Sequence, residues 1–185
     1  MRIGITGGIG SGKSYVCARL EALLGIKVYD CDSAAKRIIR SSADIKERLT
    51  ALIGPETYID GKLNKAAVAN FLLASESNAQ AIDKIVHPAV ALDFEKSGME
   101  WMECAILYES GFDRLVDKVI AVTAPEAVRV ERVMKRDGIT CDKAREWMTR
   151  QLPQDTVLAR ADYEIINDGT QDVDRQINEL INKLK

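Results

Sequence analysis

RIGIT at residues 2–6 runs directly into GGIGSGKS at residues 7–14, and this stretch decides how the rest of the chain is read. Arg2 to Thr6 has the length and apolar content of a short buried strand. Gly7, Gly12, Lys13 and Ser14 fit the spacing GxxxxGK[ST]. Ser14 to Leu24 then carries a helical pattern, with Val16, Leu20, Leu23 and Leu24 on one side. Strand, glycine-rich turn and helix, in that order, are the context that a phosphate-binding loop (P-loop) requires. The glycines let the backbone curl until successive N–H groups face phosphate oxygens, and the helix adds its positive end. Lys13 has the reach for β- and γ-phosphates, and Ser14 offers a hydroxyl to Mg²⁺. With glycine at about 7% of residues, a random chain of this length shows the pattern less than about once in a hundred. The residues therefore point to a nucleoside triphosphate bound with Mg²⁺.

Working outward, Gly25 suits a helix C-cap, and Ile26 to Tyr29 reads as a second strand. From Ser33 to about Met102 the pattern is almost wholly helical. Ile45, Leu49, Leu52 and Ile53 form one stripe, Asp60-Gly61 a turn, and Asn64 a cap for the next helix. A helix carrying Ile82, Ile85 and Val86 is expected to break at His87-Pro88, with Pro88 opening its successor. Glu103 to Tyr108 and Lys118 to Thr123 read as buried strands. A helix begins near Pro125, is interrupted at Ile139-Thr140, and resumes to about Gln151. Tyr163 to Ile166 reads as a last strand and Asp172 to Leu184 as a closing helix. Strands alternating with helices imply a parallel sheet with helices on both faces. The expected class is α/β: a P-loop NTPase with a doubly wound, five-stranded parallel sheet, a helical insert and a helical lid. Residues 1–32, 103–124 and 152–185 would form the core, 33–102 the insert and 125–151 the lid.

Composition narrows the function. The chain has 185 residues, 26 Lys+Arg against 28 Asp+Glu, and a formal net charge of -2. That balance argues against bulk binding to nucleic acid or to an anionic membrane. No apolar run reaches the roughly 18 residues of a membrane span, and no export signal stands out, so the expected compartment is the cytoplasm. Cys17, Cys31, Cys104 and Cys141 are scattered, and His87 is the only histidine. They read as small buried hydrophobes rather than disulfides or a zinc site.

Among P-loop proteins a GTPase would carry NKxD. Here Asn64-Lys65 and Asn182-Lys183 do not continue to an Asp, and an LSGGQ-like transporter signature is absent. A small kinase fits better. Asp30-Cys31-Asp32 closes the second strand, where such sheets line their ligand crevice. Asp32 there can take the proton of an acceptor hydroxyl, whereas Asp30 serves equally well as a helix cap. Arg129, Arg132 and Arg136 fall within one narrow helical face, so they could stabilise a transferring phosphate, or form a solvated face paired with Glu126, Glu131 and Asp137. Asn167, in Asn167-Asp168-Gly169, could read an adenine edge, or the tripeptide could simply turn. Trp101 and Trp147 read as packing residues.

In this order the pieces resemble the dephospho-CoA kinase family: GITGGIGSGKS (4–14), DCD (30–32), VHP (86–88), ERVMKRDG (131–138), RQ (150–151) and DYEIINDG (162–169). The resemblance implies a nucleotide core, a helical CoA-binding region and a lid. It implies transfer of the γ-phosphate of ATP, with Mg²⁺, to the ribose 3′-hydroxyl of dephospho-CoA. By position it makes Asp32 the catalytic base, with Lys13 and Arg136 assisting. Gly8, Gly10, Ser11, Gly12, Lys13, Ser14, Tyr15, Arg132, Arg136 and Asn167 would hold ATP. Asp32, Lys36 and His87 would lie by the acceptor. The only partner expected is this small substrate, in a monomer or weak homo-oligomer. Tyr15 stands where the family commonly has Thr, Lys36 and Lys65 replace other basic residues, and the ECAILY segment lacks a customary Pro, which leaves open whether Glu109 supplies a second carboxylate. The rival readings are a kinase for another nucleotide or metabolite, and a nucleotide-dependent switch without an acceptor.

Overall fold

The structure is a computed structural model and describes residues 1–184. The chain divides into two compact units. One is Asp30–Gly98; the other joins Met1–Tyr29 to the chain from Met99 onward.

The discontinuous unit is built on a five-stranded sheet of order β2-β5-β1-β6-β7. The strands are β1 (Ile3–Thr6), β2 (Val28–Asp30), β5 (Trp101–Glu103), β6 (Lys118–Thr123) and β7 (Tyr163–Ile166). β1 pairs in parallel with β5 and β6, and β6 with β7. Parallel pairing requires crossovers, which α1 (Lys13–Leu24), α6 (Glu126–Asp137), α7 (Cys141–Met148) and α8 (Gln154–Arg160) help to provide, and α9 (Val173–Leu184) follows the last strand. Ile3 and Ile5 of β1, Leu20 of α1, Ile120 of β6, Ile165 of β7 and Ile177 of α9 meet in one buried core. A smaller cluster, Val130, Val133 and Ala144, joins α6 to α7. Packed parallel strands put the C-terminal ends of β1, β5, β6 and β7 on one edge, where the residues of interest leave the sheet.

The Asp30–Gly98 unit holds α2 (Cys31–Ser41), α3 (Ala43–Ile53), α4 (Lys65–Ala74) and α5 (Glu76–Ser97). A two-residue hairpin, β3 (Tyr58–Ile59) with β4 (Lys62–Leu63), interrupts this otherwise helical stretch. Its turn is Asp60-Gly61, both at positive φ, as such tight hairpins demand.

Three expectations need correction. The segment ECAILY is not a strand: β5 is Trp101–Glu103, and only the Cys104 N–H continues its pairing, to Ile5 O. The chain then closes a helical turn, with Ser110 N–H on Ile106 O, and buries Leu107 and Tyr108. A short apolar run has no periodicity with which to tell the two apart. Second, α5 does not break at Pro88. Ile82, Val86, Val90 and Phe94 are buried at four-residue spacing across the proline, so one apolar stripe holds both halves of the helix. That outweighs one missing backbone bond, a cost of about 3 kcal/mol. Third, β2 begins at Val28, because the left-handed Gly25 cap (φ 65) leaves Ile26 and Lys27 to reverse the chain.

Candidate functional site

β1 delivers the chain into the loop Gly7–Gly12, and α1 leaves from it. Gly12 is the N-cap of α1 at φ 86 and brings no side-chain cap, so the helix end stays open. Among the described residues the N–H groups of Gly10, Gly12 and Ser14 donate to no protein acceptor. Uncapped donors at a helix N-terminus make an anion cradle. The Ser11 hydroxyl, wholly buried in the same loop, has no hydrogen-bond partner among the described residues.

The loop is held from outside by side chains on its carbonyls. Arg129 Nε donates to Ile9 O at 2.9 Å. Arg132 Nη1 reaches Gly10 O (3.4 Å), Ser11 O (3.3 Å) and Asn167 O (2.9 Å). Asn167 Nδ2 donates to Ser11 O at 2.9 Å. Its own N–H goes to Thr123 O, which ties the end of β7 to the end of β6. Close approach explains Gly8, since a Cβ there would overlap the Arg129 guanidinium. Burial draws the Arg129 guanidinium below its ordinary value, with Glu126 acting against that.

Lys13, at the first position of α1, has Nζ 3.9 Å from Glu103 Oε1, and both side chains are largely buried. Glu103 ends β5 beside β1. It escaped the sequence reading, which started a strand at this residue and sought a second carboxylate at Glu109. Glu109 instead accepts the Leu152 N–H at 3.0 Å. A carboxylate closing a short apolar strand next to the loop's strand was the available signal. Gln151 was missed too: it lies in the RQ pair, and its Oε1 accepts the Ile9 N–H at 2.7 Å.

The three lid arginines do not act as one face. Arg129 is 7% exposed beneath the loop, Arg132 braces it, and Arg136 is exposed and bound to neighbouring Asp137 at 2.7 Å. The solvated reading therefore fails for Arg129. Tyr15 is 54% exposed and lines a cleft of about 550 Å³ with Gly12, Arg132, Asn167 and Asp172. Asp168 forms a turn, accepting from Thr170 and Gln171 N–H groups, which hold its carboxyl below the usual range.

In the Asp30–Gly98 unit, Asp30 caps α2, accepting from Ser33 N–H (3.0 Å) and Oγ (2.6 Å). Asp32, one turn before Lys36 on α2, is exposed and makes no hydrogen bond or ion pair among the described residues. Lys36 is likewise exposed. His87 Nε2 lies 3.4 Å from Asp83 Oδ1 on α5.

Comparison with known families settles the class. The dephospho-CoA kinase family model matches residues 1–172. The chain belongs to the dephospho-CoA kinase family. It is 39% identical over 188 residues to the dephospho-CoA kinase of Bacteroides fragilis, covering 98% of this chain and 91% of that one. It is 41% identical over 172 residues to that of Porphyromonas gingivalis, covering 89% and 85%. Among solved structures, TT1252 of Thermus thermophilus superposes with a TM-score of 0.84 at 31% identity, covering 100% and 98%. Shikimate kinase of Aquifex aeolicus, at 18% identity and a TM-score of 0.56 over 100% and 96%, shares the fold. The family assignment and these neighbours agree with the α/β P-loop kinase class expected from the loop. Among the described residues no helix is long and apolar enough to cross a membrane, and no cluster of three metal-ligating side chains occurs.

Proposed function

We propose that this chain phosphorylates the ribose 3′-hydroxyl of dephospho-CoA with ATP, giving coenzyme A and ADP. The observation that carries the reading is the family match over residues 1–172, which takes in both the phosphate loop and the Asp30–Asp32 segment. Membership supplies the kinase activity; the resemblance to the family suggests the roles of Lys36, His87 and Arg136, and chemistry and geometry the others.

The N–H groups of Gly10, Gly12 and Ser14, with the positive end of α1, would receive the β- and γ-phosphates, and Lys13 would follow the γ-phosphate in transfer. Tyr15, Arg132 and Asn167 line the neighbouring cleft and would face the nucleoside. One Asn167 amide N–H is spent on Ser11 O, which leaves its Oδ1 and a second N–H for a base edge. The donor set fits Mg²⁺: the Ser14 hydroxyl and the Glu103 carboxylate are hard oxygen ligands, and Mg²⁺ needs few protein ligands beside phosphates and water. When bound, the ion would neutralise charge on the phosphates. Asp32, unpaired in the first turn of α2, would take the acceptor's hydroxyl proton. Lys36 and His87 would lie by the acceptor, and Arg136, the loosest of the three lid arginines, would swing from Asp137 onto the phosphates on closure.

The test is ADP and CoA formation by the purified full chain with ATP, Mg²⁺ and dephospho-CoA, beside a panel of nucleoside and small-alcohol acceptors. Turnover specific to dephospho-CoA is expected, and none with the wild type would overturn the assignment. Asp32→Asn should lower kcat by about 10²-fold or more. Full kcat in that variant would remove Asp32 from the base role while leaving the activity assignment intact.

A further inference from the structure

The geometry points to a clamp on the Ile9 backbone, closed by Gln151 on its N–H and Arg129 on its carbonyl, that sets the phosphate loop and ties it to the lid; both are positioning residues. The inference rests on reading the loop as the ATP phosphate site.

Ile9 is gripped in three ways by residues far away in sequence. Its N–H donates to Gln151 Oε1 at 2.7 Å, and its carbonyl accepts from Arg129 Nε at 2.9 Å. Its side chain packs on the cluster that joins α6 to α7, formed by Val130, Val133 and Ala144. The two peptide groups that flank Ile9 are thus each held, Gly8–Ile9 through its N–H and Ile9–Gly10 through its carbonyl, and the backbone rotation at Ile9 that would turn the next N–H groups away from the cradle is opposed. The division of donors fits. Ile9 N–H is satisfied by a neutral amide, whereas Gly10, Gly12 and Ser14 N–H groups stay free for a ligand. Arg129 is 7% exposed, and its Ile9 bond is the one hydrogen bond its side chain makes among the described residues. Burying a cation for a single carbonyl is costly unless its position matters. Gln151 sits between α7 and α8, so displacement of α7 pulls on the Ile9 N–H. Lid position and loop geometry are therefore mechanically linked.

Gln151→Met keeps the side-chain bulk and removes the acceptor; Gln151→Glu keeps an acceptor oxygen. In the full-length enzyme Gln151→Met should raise the KM for ATP about fivefold or more, the scale of one hydrogen bond. KM for dephospho-CoA should stay within about twofold. In the nucleotide-free protein, amide exchange at Ile9, read by NMR, should speed up by a similar factor and return toward wild type in Gln151→Glu. Equal rises in both KM values would mark a merely structural role and overturn the proposal, as would an unchanged KM for ATP. If the wild type shows no turnover, the functional reading has failed, and Ile9 exchange alone decides the clamp: unchanged exchange in Gln151→Met refutes it.

Discussion

Alanine in place of Gly12 separates two costs that a glycine can hide. Gly12 and Gly25 cap opposite ends of α1, both with left-handed backbone, at φ 86 and φ 65. An L side chain in that region costs roughly 1–2 kcal/mol at either site. The surroundings differ. A Cβ on Gly25 meets nothing within 4 Å, whereas one on Gly12 would overlap the Asn167 amide nitrogen. Relieving that overlap moves a buried side chain and breaks its bond to Ser11 O. A lost buried bond costs about 1–3 kcal/mol more. Gly12→Ala should therefore destabilise by about 2–5 kcal/mol and Gly25→Ala by about 1–2. The extra cost of about 1–3 kcal/mol at Gly12, at roughly 2–4 °C per kcal/mol, should set the melting points of the two variants about 2–12 °C apart. Trp101 and Trp147 both belong to the sheet-bearing unit, so tryptophan fluorescence follows the relevant transition. Gly12→Ala should also weaken ATP, because its N–H is one of the open donors, and Gly25→Ala should leave the ATP KM alone. Coincident melting of the two variants would refute the crowding argument, since backbone strain alone would then account for both.

Tyr108 places a buried hydroxyl with no hydrogen-bond partner among the described residues beneath Arg160, whose guanidinium lies 3.9 Å from the ring centre. Tyr108→Phe keeps the ring contact and removes the orphan, so the urea midpoint should rise by the equivalent of about 1 kcal/mol; a fall would mean that the hydroxyl is satisfied. Asp162 accepts from Lys118 Nζ at 2.7 Å and Val119 N–H at 2.9 Å, and both hold its carboxyl below the usual range. Its contribution is complete above the ordinary carboxylate value near pH 4 and fades as pH falls through the lowered folded value. Melting curves from neutral pH down to about pH 3 should show the gap between wild type and Asp162→Asn closing at the acid end; a constant gap would contradict the linkage. Glu103→Gln removes the charge 3.9 Å from Lys13 Nζ at constant size. It should cut kcat about tenfold or more in steady-state assays at saturating Mg²⁺, and an unaltered kcat would take Glu103 out of the reaction.

The loop and its flanks were legible because chemistry restricts them to few residue types. The strand before the loop, Lys118–Thr123 and Tyr163–Ile166 all announce themselves as apolar runs of strand length. The strand between β2 and β1 was not legible. β5 is three residues long, and its apolar sequel is a buried helical turn, so hydrophobicity alone extends a strand that hydrogen bonding ends. Pro88 misled for a related reason: a local breaker was weighed without the four-residue stripe that overrides it. Glu103 lay outside any motif, and the RQ pair that holds Gln151 carried no sign of its partner. Their partners, Lys13 and Ile9, are 90 and 142 residues away, and no local pattern encodes that proximity.

The arginines and Asn167 were read as groups that look at the ligand; Arg129, Arg132 and Asn167 also hydrogen-bond the back of the loop, and the reason follows from the loop itself. A backbone that turns its N–H groups toward an anion must turn carbonyls the other way. Those carbonyls, Ile9 O, Gly10 O and Ser11 O, face protein rather than water, and each needs a donor. Arg129, Arg132 and Asn167 supply them. Donors with charge serve twice, because a guanidinium answering a carbonyl behind the loop still adds positive potential in front of it. The basic cluster is thus required by the curvature of the loop before any phosphate arrives. Arg136, bound to its own neighbour Asp137 at the surface, takes no part in holding those carbonyls among the described residues.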